Sequence, residues 1–284
     1  MSAPTVSPTT RTVTLPTGID LTIAEHGDHT DGQAVLMLHS GTGPRTMAGI
    51  SAALSQHVRV ITATHPGFDG TPRPDRLATV ADLAEAYLDL LDLLDLSGVM
   101  VVGNSVGGWI GAEMALRDNH GRIGALVLMN AVGIHAHLPK NQVVDTRVVN
   151  PAEVGELSFA NPAFRPDFAA LTEVQRAGIA ANQKTLAQYG GAHFTFDPTL
   201  RGRLHRVTVP VLAVWGEQDG VAPIGYGRGY AEAFPNGHFA PIADAGHFPQ
   251  VEQLAATLGA IGDFVDTVVK PDNAGEPVKA VEPA

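Results

Sequence analysis

Cysteine is absent from the 284-residue chain. Disulfides, thiolate nucleophiles, cysteine-ligated zinc and iron–sulfur clusters are therefore excluded. Long apolar runs are missing too. The longest cover about five residues, as over 34–38, against the roughly 20 that a bilayer-spanning helix needs. Residues 1–11 are rich in Ser, Thr and Pro without an apolar stretch, and do not read as a secretory signal. Cations are scarce: 18 Lys and Arg against 29 Asp and Glu give a net charge of −11. Nucleic-acid phosphates and anionic lipid surfaces repel such a chain. No G-x-G-x-x-G follows a candidate strand, so a dinucleotide site has no support. The expectation is a cytoplasmic protein with no cofactor, no metal, no nucleic acid and no membrane partner. Homo-oligomerisation stays open.

Hydrophobic residues make up 44% of the chain, enough for a sizeable core. Short apolar runs alternate with helical patterns, the mark of a mostly parallel sheet with helices on both faces. Strands are predicted over 35–38, 58–61, 99–102, 125–129, 209–215 and 238–242. Helices are predicted over 46–55, 79–96, 106–117, 226–233 and 250–269. Thr79 is placed as the cap of the second helix and Gly98 as its stop. Residues 134–206 lack strand signals and are broken by Pro139, Pro151, Pro162 and Pro166. An insertion that long is usually functional. The organisation expected is a core of 11–133 and 207–269, a helical cap of 134–206, and flexible tails of 1–10 and 270–284.

The sharpest motif is Gly103-Asn104-Ser105-Val106-Gly107, followed by Gly108. It matches G-x-S-x-G between a buried strand and a helix. Small residues two before and two after let the backbone turn sharply and lift Ser105 Oγ clear of the sheet. A serine needs a base to take its proton. Of twelve histidines, His247 alone lies in a loop between the last strand and the last helix. His238 opens that strand and belongs at the opposite edge. A carboxylate must then orient the imidazole. The segment Trp215-Gly216-Glu217-Gln218-Asp219 ends the strand that returns after the insertion, with Asp219 in the loop beyond it. Glu217 is the runner-up. The alternative position, after strand 125–129, holds Asn130, which cannot carry the charge. Two N–H groups should face the oxyanion. Val106 follows the nucleophile, and the loop His39-Ser40-Gly41-Thr42-Gly43 supplies the other, with Gly41 ahead of Ser40.

The ordered set His39-Ser40-Gly41, His65-Pro66-Gly67, Gly103 to Gly108, Trp215 to Asp219 and Gly246-His247 resembles the α/β-hydrolase superfamily over about residues 11–269. The resemblance implies an eight-stranded, mostly parallel sheet with a helical cap. It implies Ser105 as nucleophile, His247 as base, Asp219 as acid, Gly41 and Val106 as oxyanion donors, and a small acyl substrate such as a carboxylic ester. Two departures stand out. The usual His-Gly reads His39-Ser40, and the usual Pro-Gly-x-Gly reads Pro66-Gly67-Phe68-Asp69-Gly70. A serine at the elbow argues against haloalkane dehalogenases and epoxide hydrolases, which use a carboxylate there.

Rival readings share the motif. Gly103-Asn104-Ser105 with Gly107-Gly108 also resembles C–C bond hydrolases of aromatic-ring degradation, which act on a vinylogous diketo acid and need a basic lid residue. Residues 134–206 carry eight Lys/Arg against six Asp/Glu, with Arg147, Arg165 and Arg176 as candidates to meet an anion. Lactonase and perhydrolase readings use the same residues. A binding or receptor protein of this fold is the rival from another class. Phe159, Phe164, Phe168, Phe194 and Phe196 fit either an acyl pocket or the cap's own packing. His135 and His137 are two apart with no acid at zinc spacing, and read as surface residues.

Overall fold

The computed structural model describes residues 8–27, 33–136 and 138–269. The expected tail of 270–284, residues 1–7 and His137 lie outside them. Among the described residues the strands are β1 (Thr9–Thr14), β2 (Asp20–His26), β3 (Ala34–Leu38), β4 (Arg59–Thr64), β5 (Val99–Asn104), β6 (Ile123–Met129), β7 (Val211–Gly216) and β8 (Gly237–Ile242). They form one sheet in the order β1-β2-β4-β3-β5-β6-β7-β8. Only the pairings of β2, with β1 and with β4, are antiparallel.

Sequence alternation places the core. Along β3, Ala34, Leu36 and Leu38 enter one apolar cluster while Val35 and Met37 enter the other. Along β7, Val211, Ala213 and Trp215 face the first and Leu212 and Val214 the second. A strand buried on both faces reads as a continuous apolar run, because successive side chains point to opposite sides. The helices α2 (Val80–Leu93), α3 (Val106–Arg117) and α7 (Ile224–Ala231) cover the first face. On the second face lie α1 (Ala48–Leu54) and the C-terminal helices α8 (Pro249–Glu252) and α9 (Leu254–Phe264).

Local chemistry corrects several boundaries. Thr79 and Asp82 form a reciprocal capping box at the start of α2. The helix stops at Leu93, not near Gly98. Asp95 takes the left-handed conformation (φ 49°), and Leu96 N–H closes onto Leu91 O at 3.0 Å. That is a Schellman stop with Asp in place of Gly. The predicted helix over 250–269 is broken at Gln253, whose φ of −134° is not helical. Gln253 Nε2 donates instead to Asp244 O at 3.1 Å. Eight strands were expected, but β1 and β2 were not placed along the sequence. β1 is mostly exposed and polar, and its pairing begins at Thr9 rather than at residue 11. β2 carried a usable signal, with Leu21 and Ile23 buried at alternate positions.

Residues 134–206, between β6 and β7, contain α4 (Pro151–Ser158), α5 (Glu173–Gly190) and α6 (Leu200–Arg203). Among the hydrogen bonds that tie them to the core, two groups reach the sheet's loops from α4 and α5. At the end of α4, Ser158 O accepts from His247 N–H at 2.7 Å and Leu157 O from Gly220 N–H at 2.9 Å. From α5, Thr185 Oγ1 donates to Gly67 O and Tyr189 O–H to Pro66 O, both at 2.9 Å. Asn182 and Asp69 bond reciprocally, Nδ2 to Oδ1 at 2.8 Å and Asp69 N–H to Asn182 Oδ1 at 2.9 Å. Among the described residues no helix is long and apolar enough to cross a membrane.

Candidate active site

Ser105 sits at the tip between β5 and α3 with φ 56° and ψ −118°. A non-glycine residue held there stores about 1–3 kcal/mol. The flanking glycines make the turn sterically feasible. A Cβ on Gly103 would lie 2.3 Å from Gly107 O, and one on Gly107 would lie 2.1 Å from Leu38 O. Both obstacles are backbone, so neither position accepts a side chain without moving the elbow. Ser105 is itself only partly buried and opens onto a cavity of about 70 Å³.

His247, between β8 and α8, reaches the same cavity. Its Nδ1 lies 2.8 Å from Asp219 Oδ2. A carboxylate can only accept, so Nδ1 carries the proton and Nε2 keeps its lone pair. The His247 main chain is held at both ends, by its N–H on Ser158 O and by its carbonyl, which accepts from Asn104 Nδ2 at 3.1 Å. Among the described residues Ser105 Oγ makes no hydrogen bond to His247; the two side chains meet only through the shared cavity.

Asp219 is 5% exposed and fully satisfied. Oδ1 accepts from Val221 N–H at 2.7 Å and Ala222 N–H at 3.0 Å. Oδ2 accepts from His247 and also from Asn130 Nδ2 at 2.6 Å. Glu217 is exposed, and the hydrogen bond to His247 comes from Asp219. Asn130 is the residue that sequence reasoning set aside. It occupies the alternative acid position, adopts a left-handed φ of 44°, and serves Asp219 as a donor. The signal available was its place at a strand end, where Asn tolerates that conformation.

Ser40, Gly41 and Val106 all line the cavity. Among the described residues neither Gly41 N–H nor Val106 N–H donates to a protein acceptor. Among the described residues the rest of the lining is uncharged, with Val132, Val143, Val144, Val154, Leu186, Phe194, Val221 and Phe248 as its apolar part. None of the three candidate arginines lines it. The Arg147 guanidinium lies over the Phe194 ring at 4.5 Å and pairs with Asp145 at 2.6 Å. Arg165 donates to Phe159 O and Arg176 to Leu171 O. Of the five phenylalanines, only Phe194 lines the cavity; Phe159 stacks behind Phe248 at 5.1 Å. Of the two readings left open for these phenylalanines, the pocket holds for Phe194 alone, and the apolar lining is mostly valine. His135 stacks edge-on against Phe196 at 4.9 Å, and no metal-binding group of three or more ligands occurs among the described residues.

Comparison with known proteins gives this geometry a family. The model of the α/β hydrolase fold matches residues 33–254. A 2-hydroxy-6-oxo-2,4-heptadienoate hydrolase of Pseudomonas putida is 27% identical over 262 residues, covering 82% of this chain and 89% of the relative. A 2-hydroxy-6-oxo-6-(2'-aminophenyl)hexa-2,4-dienoic acid hydrolase of Metapseudomonas resinovorans is 25% identical over 237 residues, covering 78% and 80%. Among solved structures, a thermophilic esterase of Thermogutta terrifontis superposes with a TM-score of 0.70 at 20% identity, covering 91% of this chain and 98% of that one. With the sheet order, the elbow and a family match over most of its length, the chain belongs to the α/β-hydrolase family.

Proposed function

We propose that this protein is a serine hydrolase that cleaves a small, uncharged carboxylic ester or related acyl compound. The observation that carries the reading is the strained Ser105 opening onto the cavity that His247 reaches, with the His247 Nδ1 proton held by Asp219. Ser105 Oγ attacks the acyl carbon while His247 Nε2 takes its proton. The carbonyl oxygen becomes an oxyanion and receives the N–H groups of Gly41 and Val106. His247 returns the proton to the leaving oxygen, and an alcohol departs. Water, deprotonated by His247, then cleaves the acyl-enzyme, releasing the acid and restoring Ser105. The Ser105–His247 hydrogen bond forms when substrate fills the cavity; such bonds are commonly long in empty sites. Residues 134–206 act as a cap, and their valines set the acyl group accepted.

A second reading has one specific support. Both curated relatives are hydrolases of 2-hydroxy-6-oxo-dienoic acids. Such a substrate carries a carboxylate, and the cavity lining supplies no Arg or Lys to meet it. That favours the ester. The two readings separate in one assay, which compares turnover of p-nitrophenyl acetate and butyrate with that of a 2-hydroxy-6-oxo-dienoate. Fluorophosphonate treatment followed by mass spectrometry should label Ser105, and Ser105→Ala should lose about 10³-fold or more in rate. Label on another serine, or multiple turnover of none of these substrates, would refute the hydrolase mechanism and favour a binding protein.

A further inference from the structure

Beside the site lies a buried chain of side chains that the reaction itself does not use: His39, His65 and Tyr87. All three are essentially inaccessible to solvent. The His39 and His65 rings stack with centroids 3.7 Å apart. Burial brings His39 down to about 4 and holds His65 well below its ordinary value, so both rings are neutral at physiological pH. Burial also keeps the Tyr87 hydroxyl protonated.

Each neutral imidazole has one donor and one acceptor nitrogen, so the neighbours fix where the protons are. His65 N–H donates to His39 Nε2 at 2.9 Å. Nε2 is thus the acceptor of His39, and its proton is on Nδ1. That Nδ1–H donates to Ser40 O at 2.6 Å. In His65, Nε2 faces His39 O at 2.9 Å and must donate to it. Its Nδ1 is then the acceptor, and receives the hydrogen bond of the Tyr87 hydroxyl at 2.6 Å. Every assignment follows from a group that can play only one role. The chain runs in one direction, from the Tyr87 hydroxyl to the Ser40 carbonyl.

Across a trans peptide the carbonyl of one residue and the N–H of the next point in opposite directions. Ser40 O is pinned by His39 Nδ1–H and by Gly43 N–H at 3.1 Å. The Gly41 N–H of the same peptide is thereby turned away from His39, on a residue that lines the cavity. We infer that His39, held in its Nδ1–H form by the main-chain N–H of His65, is a positioning residue that aims the Gly41 N–H at the oxyanion. The inference rests on the reading of Ser105 as an acyl-transfer nucleophile. It also selects Gly41 over Ser40 as the donor.

The test has two arms. In the first, long-range proton–nitrogen NMR on protein labelled with ¹⁵N-histidine should find His39 protonated at Nδ1 and bare at Nε2. The opposite tautomer would overturn the inference without any variant. In the second, kcat and KM for p-nitrophenyl butyrate are compared in two variants. His39→Leu removes the donor and should lower kcat by about 10²-fold, the scale of a lost oxyanion contact, with KM within about threefold. His39→Asn keeps a donor nitrogen on the atom bonded to Cγ and should recover about tenfold of that loss. Equal kcat in the Asn and Leu variants would reduce His39 to packing and overturn the role. If His39→Leu does not fold, the tautomer found by NMR decides the matter. Absence of fluorophosphonate label on Ser105 in the wild type would instead refute the functional reading, and would leave the NMR result untouched.

Discussion

Asn130 and His247 donate to the same oxygen of Asp219, Nδ2 at 2.6 Å and Nδ1 at 2.8 Å from Oδ2. Asn130 is itself fixed, since its Oδ1 accepts from Gly216 N–H at 3.2 Å and its own N–H donates to Val214 O at 3.0 Å. The carboxylate therefore cannot rotate without breaking bonds to both β6 and β7 loops. A buried acid held this way presents a fixed acceptor to the imidazole.

Asn130→Gly is the clean test of that hold, because glycine accepts the φ of 44° without strain. The variant should lower kcat about tenfold with KM little changed, on the scale of one hydrogen bond to a charged group. Combined with Asp219→Asn it should add little, since both changes act on one unit. Steady-state kinetics of the two singles and the double would decide it. Fully additive losses would detach Asn130 from the acid.

Asp219→Asn should keep the fold and lose about 10²–10⁴ in rate, because the imidazolium loses its counter-charge and its preferred tautomer. Glu217→Gln, on an exposed side chain, should cost less than about tenfold. Circular dichroism with kcat measurements on both variants checks the pair. A crippled Glu217→Gln beside a healthy Asp219→Asn would reverse the assignment.

Leu186 of α5 forms part of the cavity wall, and its Cδ2 lies 2.5 Å from where a Gly41 Cβ would be. With a cavity of only about 70 Å³, short acyl chains should be preferred. Leu186→Ala removes about three carbons' worth of wall and should raise the hexanoate-to-acetate ratio of kcat/KM by about tenfold, the worth of one or two methylenes. A ratio that does not move would place the acyl group elsewhere.

Acid should destabilise the fold in a definite window. His39 titrates near 4 when folded, lowered by burial, and near its ordinary 6.5 when unfolded. Between those values the unfolded chain binds the proton that the folded chain refuses. Stability is therefore complete above about pH 6.5 and drains as pH falls toward 4, by on the order of 3 kcal/mol from this one group. His65, lowered by the same cause, adds in the same direction. Calorimetric melting across that range should fall steeply in the wild type and less steeply in His39→Asn. Equal slopes would remove His39 from the acid response.

The elbow was legible in the sequence because steric demand leaves a local mark: Gly103 and Gly107 are small where backbone passes within 2.5 Å of a would-be Cβ. Strands β3 and β5 to β7 were legible because burial on both faces makes a continuous apolar run. Asp219 and His247 followed from their places after β7 and β8. The remaining parts depend on partners far along the chain. Nothing near Asn130 announces Asp219, 89 residues on, and nothing near His65 announces Tyr87. The stop at Asp95 escaped because a Schellman turn with Asp looks like two more helical residues beside a Gly98 that also has positive φ. The helix breaks at Gln253, where the side chain bonds Asp244 O, a contact that no periodicity records.

Two of the ways in which residues 134–206 hang on the core, through α4 and through α5, imply different freedoms to drift. Beneath α4 the acceptors are the backbone carbonyls of Leu157 and Ser158, which any residue supplies. Beneath α5 the bonds come from the side chains of Asn182, Thr185 and Tyr189, which few residues replace. Descendants of this chain can therefore rewrite the α4 side of the roof one side chain at a time while the acid and base loops keep their anchors. On the α5 side the same rate of substitution would cut the roof loose. Divergence in substrate should accumulate on one wall of the cavity, and the other should age slowly.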